Sequence, residues 1–122
     1  MKKESFEKLV EEALNEIPEK FKNLLKNLAV IVEESPPRDV YRRTGSSPSN
    51  LVLGLYHGVP YKNRGPFYGN IPPDVIVIYQ HSIEQICFTE EAIKHKVKEV
   101  VLHEIGHYFG LTEKDLKEIE DS

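Results

Sequence analysis

Residues 74–80 constrain the fold more than any other segment of the chain. They include four consecutive β-branched apolar residues, the VIVI run at 75–78, and side chains of this type favour strands. Because successive side chains of a strand point to opposite faces, both faces of this segment are apolar. The segment therefore predicts a central strand of a sheet. Residues 51–57 predict a second strand, and Gly54 places it nearer to a sheet edge.

Helical periodicity marks both ends of the chain. Apolar residues recur at spacings of three and four over residues 5–17, with Ser5 as the N-cap. Residues 19–27 repeat the pattern, either as a second short helix or as a continuation of the first that is kinked at Pro18. A β-branched run at residues 29–32 predicts a strand. Residues 89–109 predict a long helix that is capped by its first residue, a threonine, and carries acidic residues in its first turn.

Two stretches show no sustained period. Residues 35–50 are rich in Pro, Ser and Gly and predict a long surface loop, which inside a compact domain is either mobile or functional. Residues 58–73 are rich in turn-forming residues. After the long helix, Gly110 is expected to end it in the left-handed conformation, and Thr112 is expected to cap a short final helix.

The composition describes a single soluble domain over residues 1–122. A chain of this length buries enough apolar surface to hold one core without a structural metal. The net charge of -4 leaves no basic surface for nucleic acid, and no run approaches the roughly 18 apolar residues of a membrane span. One cysteine excludes an intramolecular disulfide, and the charged N-terminal stretch lacks the apolar run of a secretory signal. We therefore expect a cytoplasmic protein.

The long helix contains an H-E-x-x-H motif at residues 103–107. Residues four apart on a helix project about 40° apart, so His103 and His107 can reach one zinc ion, and Glu104 can address a water on that metal. Val101 and Ile105 lie roughly 160° from His103 on the same wheel. Burying this apolar stripe therefore turns the histidine pair away from the core.

A third metal ligand is expected after the helix. Gly110 follows His107 by three residues and Glu113 follows Gly110 by three, so a glycine-enabled reversal can bring Glu113 back to the metal. Glu113 also falls in the first turn of the final helix, where the helix dipole alone favours an acidic residue. Asp115 is the alternative ligand, although it is also placed to bond back at the start of that helix.

The sequence resembles the bacterial mini-zincins, small zincin-like metallopeptidase domains with the pattern H-E-x-x-H-x-x-G-x-x-D. Besides the motif, the resemblance rests on four segments that follow one another in the same order. They are FEKLVEEALNEIP at 6–18, LGLYHGVP at 53–60, PDVIVIY at 73–79 and VLHEIGHYFGLTE at 101–113. Together they span most of the chain.

The resemblance implies a minimal zincin-like α+β fold, with N-terminal helices, a small mixed sheet, an active-site helix and a short C-terminal helix. It gives His103, His107 and Glu113 as ligands of Zn²⁺, where the family usually has aspartate at the third position, and Glu104 as the general base. It implies a zinc-dependent peptidase that hydrolyses peptide bonds with a zinc-activated water. The expected partner is a peptide or protein substrate, and the expected state is a monomer.

Other zincin subtypes fit less well. Metzincins carry a methionine turn under the metal, and the only methionine here is Met1. Gluzincins take their third ligand from a separate helix well downstream, and only fifteen residues follow His107. The alternative function is a non-catalytic zinc-binding or protein-interaction module on the same scaffold. Retention of Glu104 favours the peptidase, because a purely structural metal site does not need that carboxylate.

Several further residues have two interpretations. An oxyanion partner could come from any of five side chains, and an extended substrate could pair with the strand near residues 51–58. The five side chains are those of Tyr56, His57, Tyr61, Arg64 and Tyr108. Surface or turn positions are favoured for the remaining histidines, His81 and His95, and a buried apolar role is favoured for Cys87.

Overall fold

The computed structural model of the protein describes residues 1–25, 28–44, 52–58, 74–109 and 114, with the backbone alone at 20, 24, 42–44, 57–58 and 107–109. The elements follow one another as α1 Lys3–Asn15, α2 Glu19–Lys22, β1 Leu28–Glu33, α3 Arg38–Thr44, β2 Gly54–Gly58, β3 Asp74–Tyr79, α4 Gln80–Glu84 and α5 Glu90–Phe109. Within these ranges, no helix combines the length and the hydropathy needed to cross a bilayer.

In the described part of the chain, strand β3 lies at the centre of a three-stranded sheet ordered β1-β3-β2. It runs parallel to β1, with Leu28 opposite Asp74, and antiparallel to β2, with Gly54 opposite Ile78. The sequence-based predictions of a central strand and of an edge strand containing Gly54 are therefore confirmed. Helices combined with a small mixed sheet also confirm the predicted α+β class.

Both faces of β3 are covered, which explains its unbroken apolar run. On one face, Ile76 and Ile78 join the buried residues of α1 and α5 in a common cluster, and these two helices pack against each other. On the other face, Val77 and Tyr79 pack with Val40 of α3. The sheet therefore separates two apolar layers, of which the layer under α1 and α5 is the larger.

Helix α3 corrects the prediction of a continuous loop over residues 35–50. The chain enters this helix after Pro37, whose carbonyl accepts a hydrogen bond from the Val40 N–H at 3.0 Å, and Asp39 lies in the first turn. Burial of Val40 against the sheet stabilises a seven-residue helix that local composition alone does not predict. Residues 45–50 lie outside the described part of the chain.

The start of α1 also differs from the prediction. The helix begins at Lys3, so Ser5 lies within it, and the capping position is Lys2, which makes no side-chain capping bond. The Phe6 N–H bonds instead to the Lys2 carbonyl at 3.0 Å. The predicted second helix is present as α2 and continues as a 3₁₀ turn over Asn23–Leu25.

Two boundaries near the sheet need correction as well. Strand β2 begins at Gly54, three residues later than predicted. The turn expected at His81 and Ser82 is the short helix α4, which follows β3 directly. The His81 N–H bonds to the Glu34 carbonyl at 2.9 Å, which ties this helix to the end of β1.

Ion pairs join α1 to α5 along their exposed margin. Glu16 accepts from the Lys98 ammonium at 3.2 Å and lies 3.5 Å from the Lys94 ammonium, which also lies 3.9 Å from Glu12. The hydrogen bond from Lys98 is the largest influence on the pKa of Glu16, and together with the charge of Lys94 it lowers that pKa against the opposing effect of desolvation.

We predict that Glu16→Gln lowers the free energy of unfolding by about 0.5–1 kcal/mol at about pH 7, the range of partly exposed ion pairs. Because the folded-state pKa of Glu16 lies below its ordinary value of 4.5, its contribution is present above that value and is lost as pH falls further. Urea unfolding at about pH 7 and about pH 3 measures the difference. Glu7→Gln, at an exposed position of the same helix, is the control. An equal loss for Glu16→Gln at both pH values would contradict the prediction.

Candidate metal centre

The H-E-x-x-H motif lies in the last two turns of α5, a continuous helix of 20 residues. Its start is defined by Thr89, whose hydroxyl oxygen accepts a hydrogen bond from the Ala92 N–H at 3.0 Å. This confirms the predicted cap. A continuous helix is what gives residues 103 and 107 a separation of one turn on a common face.

Burial orients this part of the helix. Val101 and Ile105 are 0% and 1% exposed, whereas His103 and Glu104 are only half-buried. Leu102 is also buried. The apolar stripe therefore faces the core under the sheet. His103 lies on the side away from this stripe, as the helical wheel predicts, and Glu104, about 60° from Val101 on the same wheel, lies at its flank.

The Glu104 carboxylate is bound to the sheet. The backbone N–H of Tyr56, in β2, donates to Glu104 Oε2 at 3.1 Å. In antiparallel pairs, residues alternate between exchanging hydrogen bonds with the partner strand and turning these groups away. The Tyr79 N–H bonds to the Leu53 carbonyl, so the odd-numbered residues of this part of the chain direct their backbone groups towards β3. The even-numbered residues, Tyr56 among them, direct theirs away from β3. The outer edge of the sheet therefore holds the carboxylate of the motif.

The remaining site residues are described only in part. The backbone of His107 lies in α5, while its side chain, Gly110, Glu113 and Asp115 lie outside the described residues. The identity of the third ligand therefore stays a prediction. Among the side chains considered for an oxyanion partner, that of Tyr56 is half-buried at the edge of the sheet, and the other four are outside the description.

The described residues supply part of a zinc site. Two histidines one turn apart on a continuous helix supply the nitrogen donors that zinc takes, and His103 is accessible enough to use one. The part of the chain that the structure covers brings no three His, Cys, Asp or Glu side chains together as a metal-binding group. The helical pair is therefore compatible with zinc and needs at least one donor from residues that are not described.

The remaining described histidines and Cys87 differ in their exposure to solvent. The side chain of His95 is 75% exposed, 4.0 Å from a Glu99 oxygen, and His81 Nδ1 lies 3.1 Å from the Ser35 hydroxyl. Cys87 is buried, and burial raises the pKa of its thiol. The predictions of a solvated His95 and a buried, unreactive Cys87 agree with these positions.

The chain matches the sequence profile of a known protein family. The sequence profile of the zincin-like metallopeptidase family matches residues 25–122. The chain belongs to this family. The match covers the sheet, the site helix and the segment that carries Glu113, and it confirms the resemblance drawn from the motif.

A solved structure supports the zincin-like fold. The chain is similar to a conserved hypothetical protein from the bacterium T. thermophilus, with 25% sequence identity and a TM-score of 0.56 over 89% of this chain and 94% of the other. No functionally characterised protein in the curated set matches the chain. The comparisons therefore show the family and the fold of this zincin-like domain.

Sequence reasoning identified Glu104 but missed its partner in the zincin-like domain. The partner is a backbone N–H, which every residue except proline carries, so no side-chain pattern marks it. The indirect signal is Gly54, two residues before Tyr56 in an edge strand. A glycine inside a strand often marks the close approach of another element.

We predict that one zinc ion binds per chain and that His103→Ala removes it. The affinity should fall as pH drops below about 6, because imidazoles bind metal only when neutral. Elemental analysis after dialysis measures the stoichiometry, and competition with a chromogenic chelator measures the affinity. His95→Ala on the same helix is the control and should keep the metal. A stoichiometry near zero after zinc addition would contradict the prediction, as would an affinity that does not change between about pH 7 and about pH 5.

Proposed function

We propose that the protein is a zinc-dependent peptidase in which Glu104 is the general base. The observation that carries this proposal is the position of the Glu104 carboxylate, which is half-buried next to His103 and held by the edge of the sheet. In the H-E-x-x-H pattern, the glutamate that follows the first histidine is the residue that activates the water, and a carboxylate held in place suits that role.

The residues have separate roles in this proposal. His103 and His107 would hold the zinc with a third donor, for which Glu113 is the candidate, and the ion would supply Lewis-acid chemistry at the substrate carbonyl. With Oε2 engaged by the Tyr56 N–H, Oε1 of Glu104 accepts the proton of the attacking water. As the water oxygen bonds to the carbonyl carbon and the C–N bond breaks, Glu104 passes this proton to the leaving nitrogen.

The edge strand supports an extended peptide as the substrate. Among the described residues, strand β2 is the outermost strand on its side of the sheet, and its alternate residues direct backbone groups away from β3. A peptide that adds to such an edge is bound mainly through its own backbone. Because Glu104 occupies the Tyr56 N–H, the substrate would pair with the neighbouring outward backbone groups of β2, with its scissile bond next to Glu104.

One observation favours a second candidate, a non-catalytic zinc-binding or protein-interaction module. The bond between Tyr56 and Glu104 links β2 to α5 and thereby gives Glu104 a structural reason to be present. Retention of this residue therefore does not by itself separate the two candidates. Hydrolysis by the zinc-loaded protein does.

We predict that Glu104→Gln and Glu104→Ala each reduce peptide hydrolysis by at least about 100-fold while zinc stays bound, because the proton acceptor is lost and the histidines are not. Cleavage of a mixture of quenched fluorescent peptides measures the activity, and elemental analysis measures the metal. Glu99→Gln, one turn earlier on the same helix, is the control and should keep the activity. Equal activity in the wild type and the Glu104 variants would refute the role of Glu104. A zinc-loaded wild type that cleaves no peptide would favour the second candidate.

A further inference from the structure

We propose that Gly54 is a positioning residue for Glu104. Its missing side chain lets α5 approach the edge strand closely enough for the Tyr56 N–H to bind the Glu104 carboxylate. The consequence for catalysis rests on the proposed peptidase function. The positioning itself is a property of the scaffold and can be measured without zinc or substrate.

The close approach is visible in the packing around Gly54. A Cβ atom added at this position would lie 2.5 Å from Val100 Cγ1 and 3.0 Å from the Val77 carbonyl oxygen. The Val100 methyl group is attached directly to Cβ, so it has no long flexible stem on which to swing aside. The Val77 oxygen belongs to the backbone of the central strand. A side chain at residue 54 therefore forces the strand and the helix apart.

The distance between β2 and α5 at Gly54 also affects the bond between Tyr56 and Glu104. From residue 54 to residue 56 the strand advances about 6.6 Å, and from residue 100 to residue 104 the helix advances about 6 Å. The contact of Gly54 with Val100 and the bond of Tyr56 to Glu104 are therefore successive contacts between the same two elements. The first contact sets how near β2 and α5 lie where the second forms.

The size of the expected displacement is sufficient to break the bond. Relief of the 2.5 Å contact to an ordinary separation of 3.4 Å or more requires a shift of about 0.9 Å. The same shift applied to the 3.1 Å bond between Tyr56 and Glu104 takes it past 3.5 Å, where it no longer counts as a hydrogen bond. Released from the strand, the Glu104 side chain gains rotamers that point its carboxylate away from the reacting water.

Amide hydrogen exchange of the metal-free protein tests the positioning directly. In the wild type, the Tyr56 amide should exchange slowly although it points away from β3. Glu104→Ala and Gly54→Ala should each accelerate this exchange by about tenfold or more, while the amides of Val75 and Val77 in β3 stay protected. The double variant Gly54→Ala/Val100→Ala should restore slow exchange, because it removes the methyl group that the new Cβ meets. Val97→Ala, a core truncation on the same helix, should not restore it.

Kinetics of the zinc-loaded variants test the catalytic consequence. Gly54→Ala should lower kcat by about 10- to 100-fold with little change in KM, because a displacement of about 1 Å disturbs the orientation of the base more than substrate binding. The Val100→Ala double variant should recover most of the loss. A general loss of stability would not be reversed by this second truncation.

The outcomes separate the two proposals. Equal Tyr56 exchange in the wild type and Gly54→Ala overturns the positioning role, whatever the activity. Slow exchange that is lost in Gly54→Ala and regained in the double variant supports it even if the protein cleaves no peptide, in which case only the peptidase proposal fails. If Gly54→Ala does not fold, Val100→Ile adds one methyl group to the helix side of the same contact and should accelerate exchange. Unchanged exchange in that variant, or in Glu104→Ala, also overturns the proposal.

Discussion

One hydrogen bond between backbone and side chain, from Tyr56 to Glu104, connects the edge of the sheet with the helix that carries the motif. The bond meets two needs. An outward N–H on an edge strand requires a partner or water, and a partly buried carboxylate requires a donor. Because the Tyr56 N–H and the Glu104 carboxylate satisfy each other, the position of α5 and the rotamer of Glu104 are determined together. The chemistry of the site therefore depends on the distance between two elements as much as on the motif itself.

Packing on the core side of α5 holds the helix against the sheet, and the contact of Gly54 with Val100 sets the distance of closest approach. Val101 and Ile105 enter the same core as Ile76 of β3, and α1 closes the cluster from outside, with ion pairs along its margin. The core formed by the described residues does not include His103. A chain of this length is expected to fold around apolar residues alone. Zinc would add stability only by mass action, in proportion to its affinity.

Much of this arrangement could be predicted from the sequence, because it follows from local pattern. The VIVI run of β3 and the helix that starts after Thr89 are strong signals, and both were placed correctly. Helix α3 was missed because its stability comes from the burial of Val40 against the sheet, a long-range contact inside a stretch rich in turn-forming residues. The partner of Glu104 was missed because it is a backbone group. Long-range packing and backbone hydrogen bonds are therefore the features that local sequence patterns do not reveal.

The bond between Tyr56 and Glu104 also changes what the motif implies. In H-E-x-x-H, the glutamate is usually read as evidence of catalysis, since metal binding alone does not need it. Here the same carboxylate helps to join β2 to α5, so selection for structure is enough to retain it. Gly54, two residues before Tyr56, instead favours a role for Glu104 in a reaction. A structural link alone would tolerate a longer spacer or a different donor, whereas an approach so close that no Cβ fits holds the carboxylate in one place. Such restriction meets the geometric requirement of the proposed general base, and close packing at a strand glycine also occurs for structural reasons alone.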